Sequence, residues 1–118
     1  MTEIVVPRQI QEAVKRRGST LGFVLTRAEC EWIGNRYEFI AERINPKDKV
    51  LDIGCGLGIG LKKLGLAETV VAIDISPERT SEASLRNKGF PNIHVSQMDA
   101  TELNFPDNFF DKLSRWRL

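Results

Sequence analysis

The sequence is poor in the residue types that build metal sites and disulfides. Its 118 residues include two cysteines and one histidine. Cys30 and Cys55 are far apart and match neither a CxxC pair nor a zinc spacing, so we expect free thiols and no metal site. His94 has no neighbouring ligand residues, and it is expected to lie on the face of a strand rather than to act as a base.

Long apolar runs and an excess of one charge are also missing. No run approaches the ~20 apolar residues that span a bilayer, and the N-terminal MTEIVVPRQ lacks the segments of a signal peptide. The formal net charge is +1, which gives no general attraction to nucleic acid or to membrane surfaces. These absences predict a cytoplasmic protein with no nucleic-acid partner and no membrane partner.

The length allows one small domain, and its first part has the period of helices. Thr26 and Glu29 have the spacing of a capping box. The apolar positions that follow are three or four residues apart: Ile33, Tyr37, Ile40 and Ile44. We therefore expect residues 1–45 to form an N-terminal helical segment, and residues 46–118 to form the rest of the domain.

After residue 46, short apolar strands alternate with helical patterns. The predicted strands are KVLDIG, TVVAIDIS, NIHVSQMD and the poorer FFDKLSRW. GLGIGLKKLGLA is expected to open one helix, and Ser76 and Pro77 to begin a second that stops at Gly89. This order predicts an α/β fold, in which parallel strands are joined by right-handed crossovers and covered by helices.

The segment LDIGCGLGIG, residues 51–60, carries four glycines between the first strand and the first helix. Such a turn places a ligand crevice at the carboxyl edge of the sheet. A phosphate-binding loop would need GxxxxGK[ST], and no Ser or Thr follows the lysines here. A dinucleotide fingerprint would need GxGxxG, and the positions for its third glycine are Ile59 and Leu61. Since Asp52 would also repel a pyrophosphate, a nicotinamide-dependent oxidoreductase is disfavoured.

VLDIGCGLG, residues 50–58, resembles motif I of the class I S-adenosylmethionine (SAM)-dependent methyltransferases. The resemblance implies that Asp52 interacts with the methionine moiety of SAM, and that the glycines let the backbone approach the cofactor closely. The cofactor-binding positions of this loop would be Gly54, Cys55, Gly56 and Gly58. Cys55 would be a small filler, and Asp52 could merely cap the turn. For the fold, the resemblance implies a Rossmann-like parallel sheet with the predicted strands in the spatial order 3-2-1-4.

A second match lies at the end of the second predicted strand. The resemblance implies that Asp74 accepts hydrogen bonds from both ribose hydroxyls of SAM, with Ile75 and Ser76 beside the adenine. Nicotinamide enzymes also use an acid at this point, so Asp74 alone does not discriminate between the two cofactors.

A third match is MDATELNFPDNFFD, residues 98–111, which resembles the stretch after the third strand in small-molecule methyltransferases. The resemblance implies that Asp99 and Ala100 face the adenine and that the acid accepts from its amine. Asp99 could instead cap a short helix at Thr101.

The fourth predicted strand departs from the family. In FDKLSRWRL, polar and apolar residues alternate, which is typical of a strand with one wet face or at a sheet edge. Ser114 resembles the segment near the methionine end of the cofactor. Family members have about seven strands, so we expect an incomplete fold, either truncated or a minimal domain completed by another chain. The exposed edge of this strand could mediate self-association or bind a partner chain.

Together these patterns predict the cofactor-binding half of a SAM-dependent methyltransferase. It would transfer a methyl group to a small-molecule acceptor and release S-adenosylhomocysteine. No catalytic residue is assigned, because alignment of the reactants can account for much of such a transfer. The alternative is a non-catalytic module that binds SAM or S-adenosylhomocysteine and is completed by a partner chain.

Overall fold

The computed structural model describes residues 1–6 and 35–116, and within these ranges five strands form one sheet. The strands are β1 (Thr2–Val6), β2 (Lys49–Ile53), β3 (Thr69–Asp74), β4 (Ile93–Gln97) and β5 (Lys112–Trp116). Their order across the sheet is β1-β5-β2-β3-β4, and every neighbouring pair is parallel. The predicted α/β class is confirmed, and the four predicted strands have the expected order.

The first strand corrects the expectation of helix over residues 1–45. TEIVV forms β1, because its β-branched residues favour an extended strand once a partner strand is present. Helix is found at residues 35–41, here called α1. The predicted capping box and the start of the apolar stripe fall within residues 7–34, outside the described residues.

The edge position predicted for the fourth strand is also wrong. β1 pairs along one side of β5 and β2 along the other, so β5 is an interior strand. Two of its polar residues have buried partners: Lys112 Nζ lies 2.6 Å from Asp48 Oδ2, and Ser114 Oγ donates to the carboxylate of Asp52. The edge of β5 is therefore not available for self-association or for a partner chain.

Two further helical elements flank the sheet. After the glycines, only a 3₁₀ turn forms at Leu61–Leu64, because Gly60 precedes it in a left-handed conformation and Gly65 ends it. The second helix, α2 (Pro77–Arg86), begins as predicted, with the Ser76 side chain accepting from Arg79 N at 3.2 Å. It ends before Gly89. None of the helices in the described ranges has the length and apolar character that a membrane span requires.

The main core lies between these elements and one face of the sheet. Its buried side chains include Tyr37 and Ile40 from α1, Leu61 and Leu64 from the 3₁₀ turn, Ala83 from α2, and Val50, Val70 and Ala72 from the strands. Burying a side chain of this size stabilises the fold by about 1.5–3 kcal/mol. On the other face, a smaller cluster joins Leu51, Ile73 and Phe110, and Phe105 meets Phe110 edge to face.

Candidate cofactor site

The glycine segment that links β2 to the 3₁₀ turn depends on backbone conformations that favour glycine. Gly54, Gly56, Gly58 and Gly60 have φ angles of 80°, 57°, 74° and 89°. Side chains other than glycine are strained in this region. The four alternating glycines are therefore a requirement of the turn itself, before any ligand is considered.

The free space beside the backbone differs between Gly56 and Gly58, and this difference indicates different roles for the two glycines. A Cβ built on Gly56 would meet nothing within 4 Å, so this position faces open space. A Cβ on Gly58 would lie 2.7 Å from both Ala83 Cβ and Asn87 Nδ2. Gly56 thus leaves room beside the loop, whereas Gly58 serves the close packing of the loop against α2.

The loop uses its own N–H groups to fix its shape. The amides of Gly54 and Cys55 donate to Ile73 O at 2.8 and 3.0 Å, and the amide of Gly56 donates to Asp74 Oδ2 at 2.9 Å. A phosphate-binding loop presents such groups to its ligand. Their engagement agrees with the exclusion of phosphate and dinucleotide ligands on glycine spacing.

A cleft of about 250 Å³ lies at the carboxyl ends of β2, β3 and β4. Five residues predicted to bind the cofactor line it: Gly54, Asp74, Ile75, Asp99 and Ala100. Apolar side chains complete its wall: Ile53, Ile73 and Met98. The structure therefore gathers residues from three separate sequence motifs around one concave surface.

Asp74 is held at this cleft by two backbone groups. Its Oδ2 accepts from Gly56 N at 2.9 Å, and its Oδ1 accepts from Ser76 N at 3.0 Å. Since each carboxylate oxygen can accept about two hydrogen bonds, the side chain is oriented and keeps capacity for hydroxyl donors. The Ser76 hydroxyl caps α2 and is not among the residues that line the cleft.

Asp99 follows β4 and is exposed. Its Oδ1 accepts from the backbone N of Thr101 at 2.8 Å and from the hydroxyl of Thr101 at 2.7 Å. These hydrogen bonds lower the pKa of the Asp99 carboxyl, so the group is ionised at neutral pH. Asp99 therefore caps the turn at Thr101, and it also lines the cleft.

Asp52 is in a different environment, fully buried at the end of β2. Its Oδ1 accepts from Arg36 Nη2 at 3.0 Å and from Ser114 Oγ, and its Oδ2 accepts from Tyr37 Oη at 2.6 Å. Asp52 and Ser114, both predicted to lie at the methionine end of the cofactor, are thus bonded to each other inside the sheet. Neither lines the cleft.

Sequence reasoning missed Arg36 and Tyr37 as parts of this site. Arg36 also donates to Gly54 O at 3.0 Å and to Ile53 O at 3.2 Å. Burial raises the pKa of Tyr37 well above its ordinary value, so its hydroxyl stays protonated and donates. The signal that could have found them is Asp52 itself, because a carboxylate inside an apolar strand requires buried donors.

Cys55 and His94 are not among the described residues that line the cleft. Burial, and then the charges of Asp52 and Asp74, raise the pKa of the Cys55 thiol to about 12. A thiol with this pKa is not a nucleophile at neutral pH, which supports the interpretation of Cys55 as a filler. His94 lies exposed in β4, as expected for a residue on a strand face.

Comparisons with known proteins relate the chain to a family of enzymes. Residues 50–116 match a family model described as a methyltransferase domain. Over 87 residues the chain is 36% identical to the "eEF1A lysine and N-terminal methyltransferase homolog" of Drosophila melanogaster, covering 68% of this chain and 13% of that protein. Over 75 residues it is 33% identical to the "Probable ribosomal RNA small subunit methyltransferase A" of Methanosarcina acetivorans, covering 63% of this chain and 27% of that protein.

A solved structure agrees with these matches. The crystal structure of the YcgJ protein from Bacillus subtilis superposes with a TM-score of 0.62 and 27% identity, over 67% of this chain and 36% of that one. The chain thus spans a minor part of each of these proteins.

The archaeal relative corrects the prediction of no nucleic-acid partner, since it is named for action on ribosomal RNA. Net charge was a poor guide because it averages the whole surface and does not report on the place where an acceptor binds. More than half of the chain matches the family model. On this evidence, the chain belongs to the class I SAM-dependent methyltransferases.

Proposed function

We propose that this chain binds SAM in the cleft at the carboxyl ends of β2, β3 and β4 and that it takes part in methyl transfer. The observation that carries the proposal is the convergence of Asp74 and Asp99 with Gly54 on one cleft. Ribose hydroxyls and the adenine amine are hydrogen-bond donors, and carboxylates are acceptors. The donors of the nucleoside and the acceptors of the cleft are therefore complementary.

The cleft suggests a place for each part of the nucleoside. Asp74 would accept from the ribose hydroxyls, and Asp99 from the adenine amine. Ile75 is 66% exposed, although it is a large apolar residue, and Met98 lies partly buried in the same wall. An adenine ring against Ile75 and Ala100 would cover this apolar surface, as is common in ligand pockets.

In the proposed methyl transfer, these side chains would mainly bind and orient the cofactor. When bound, the cofactor supplies an activated methyl group. Methyl transfer depends strongly on the alignment of donor and acceptor. The glycine loop and Asp74 would hold the donor in one orientation, because the loop is already fixed by hydrogen bonds to β3.

For the acceptor, we propose a small molecule. Its support is the resemblance of residues 98–111 to the small-molecule methyltransferases. The fly and archaeal relatives are named for action on protein and on ribosomal RNA. Incubation with SAM labelled on its methyl group, with metabolite, protein and RNA fractions of a cell extract in parallel, would test this part. Label in protein or RNA alone would contradict it.

Calorimetric titration of the chain with SAM and with NADH tests the proposal as a whole. We expect heat of binding with SAM and none with NADH, because the glycine spacing does not fit a dinucleotide and the amides of Gly54, Cys55 and Gly56 already donate within the protein. Binding of NADH without SAM would overturn the proposal. Binding of SAM without transfer to any of the three fractions would favour the alternative, a non-catalytic binding module.

A further inference from the structure

Two consecutive residues of α1 hold the two ends of the glycine segment. At its start, Arg36 donates to Gly54 O at 3.0 Å and to Ile53 O at 3.2 Å. At its end, the Tyr37 ring packs so closely on Gly60 that a Cβ there would lie 2.8 Å from Tyr37 Cδ2. The position of α1 and the shape of the loop are therefore linked.

Asp52 joins these two contacts into one network. Its carboxylate accepts from Arg36, Tyr37 and Ser114, and all four side chains are buried. A buried carboxylate is costly unless it is paired and hydrogen-bonded, so each donor restricts the others to one geometry. The network thus acts as a rigid support beneath the end of β2.

The network lies at β2 and β5, and the residues proposed to bind the nucleoside lie at the ends of β3 and β4. Asp52 and Ser114 are partners in register on β2 and β5, whereas Asp74 and Asp99 follow β3 and β4. In SAM, the ribose separates the adenine from the amino-acid part. With the adenine at β4 and the ribose at β3, the amino-acid part extends toward β2 and α1.

We propose that Arg36 and Tyr37 are positioning residues for the amino-acid end of the cofactor. This inference rests on the proposed SAM binding. The two residues act through Asp52 and through the backbone of Ile53 and Gly54, and not by direct contact with the cofactor. A loop held in its binding geometry loses less conformational freedom when the ligand arrives, which raises affinity.

The test compares SAM with 5′-methylthioadenosine, which carries the nucleoside but lacks the amino-acid part. In Arg36→Lys, the charge remains but the forked hydrogen bonds to Asp52 and to the two carbonyl groups are lost. We expect the affinity for SAM to fall by about tenfold, as for loss of a charged hydrogen bond, and that for methylthioadenosine to stay within about twofold. Calorimetry on the full chain measures both.

Tyr37→Phe is the milder variant, because the ring against Gly60 remains and only the hydroxyl is removed. We expect roughly a threefold loss for SAM and an unchanged affinity for methylthioadenosine. If Arg36→Lys does not fold, Tyr37→Phe decides the question. Arg43→Lys is the matched control: the same substitution at an exposed arginine shortly after α1, where SAM affinity should not change.

If a variant loses affinity for SAM and for methylthioadenosine to the same extent, the effect is a general structural one and the inference is overturned. Unchanged SAM affinity in both Arg36→Lys and Tyr37→Phe would overturn it as well. Equal affinities of the unsubstituted chain for methylthioadenosine and SAM would also contradict it, because the amino-acid part of SAM would then contribute nothing to binding.

If the unsubstituted chain binds neither ligand, the proposed function is contradicted, and the inference with it. Thermal unfolding of each variant without ligand reports any loss of stability separately.

Discussion

At the scale of single residues, three aspartates at strand ends have different roles because their surroundings differ. Asp74 is half-buried and held by two backbone amides, and Asp99 is exposed and held by Thr101. Asp52 is fully buried among three side-chain donors. A carboxylate with space beside it can serve a ligand, whereas one that is surrounded by protein donors supports the structure.

Substitution of Asp74 tests this difference. In Asp74→Ala, we expect SAM binding to weaken by about 1–3 kcal/mol, the usual scale for loss of a charged hydrogen-bond partner. Titration calorimetry measures the change. Asp107→Ala is the control, since Asp107 is an exposed acid outside the cleft. An unchanged affinity in Asp74→Ala would show that the ribose is bound elsewhere.

The presence of Asp52, Asp74 and Asp99 at strand ends could be predicted from the sequence, because each follows a short apolar run. Their partners could not be predicted in the same way. Arg36 and Ser114 approach Asp52 from positions far away in the chain, and the contact depends on how α1 and β5 are placed. A pattern within a short window contains no information on such placement.

At the scale of elements, the glycine segment is the point where the sheet, α1 and α2 meet. The Asn87 side chain donates to Gly58 O at 3.0 Å, and Arg86 Nε donates to Leu57 O at 3.2 Å. With Tyr37 against Gly60, both helices thus contact the loop directly. The loop is a packed part of the core on one side and open to the cleft on the other.

Alanine substitutions at Gly56 and Gly58 distinguish the open side of the loop from its packed side. Gly56→Ala and Gly58→Ala both introduce a side chain at positive φ, at a cost of about 1 kcal/mol each. Gly58→Ala also forces a Cβ against Ala83 and Asn87, so we expect it to lower the free energy of unfolding by about 1–3 kcal/mol more. Urea denaturation measures both variants.

SAM affinity should be more sensitive than stability to the substitution at Gly56. The amide of Gly56 donates to Asp74, which lines the cleft, so a methyl group in the open space at Gly56 would lie beside the proposed cofactor. In Gly56→Ala we therefore expect a larger loss of SAM affinity than of stability. Equal stability of the two variants would contradict the packing role of Gly58.

The helix that was predicted after the loop shows where pattern reasoning fails at this scale. GLGIGLKKLGLA has apolar residues at helical spacing, and two of them, Leu61 and Leu64, are buried as that spacing requires. Gly60 and Gly65 limit the element to one 3₁₀ turn. Periodicity predicted which side chains face the core, but it did not predict an element of only four residues that follows a left-handed Gly60.

At the scale of the whole molecule, β1 is the outermost described strand beside β5. Ile4 is buried in the main core, and Thr2 to Val6 pair in register with Lys112 to Trp116. This pairing was not predicted, since TEIVV is too short for a clear pattern and its partner is distant in sequence. The order of the other strands was predicted, because parallel strands joined by helices follow known rules of connection.

Truncation of Ile4 tests the contribution of β1. In Ile4→Ala, we expect the free energy of unfolding to fall by about 2–4 kcal/mol, because a large buried side chain leaves a cavity. Thr2→Ala, at an exposed position of the same strand, should change it little. Urea denaturation followed by circular dichroism measures both variants. Equal stability of Ile4→Ala and the unchanged chain would show that β1 is not part of the cooperative core.

The β1–β5 pair also has a consequence for the order of folding. The two strands lie side by side in the sheet, yet β2, β3 and β4 are all synthesised between them. During synthesis, β1 therefore has no partner strand until the ribosome has made residues 112–116. A contact between residues so far apart in sequence also forms slowly. Until β1 and β5 pair, each keeps an unpaired edge that is open to incorrect pairing with another strand.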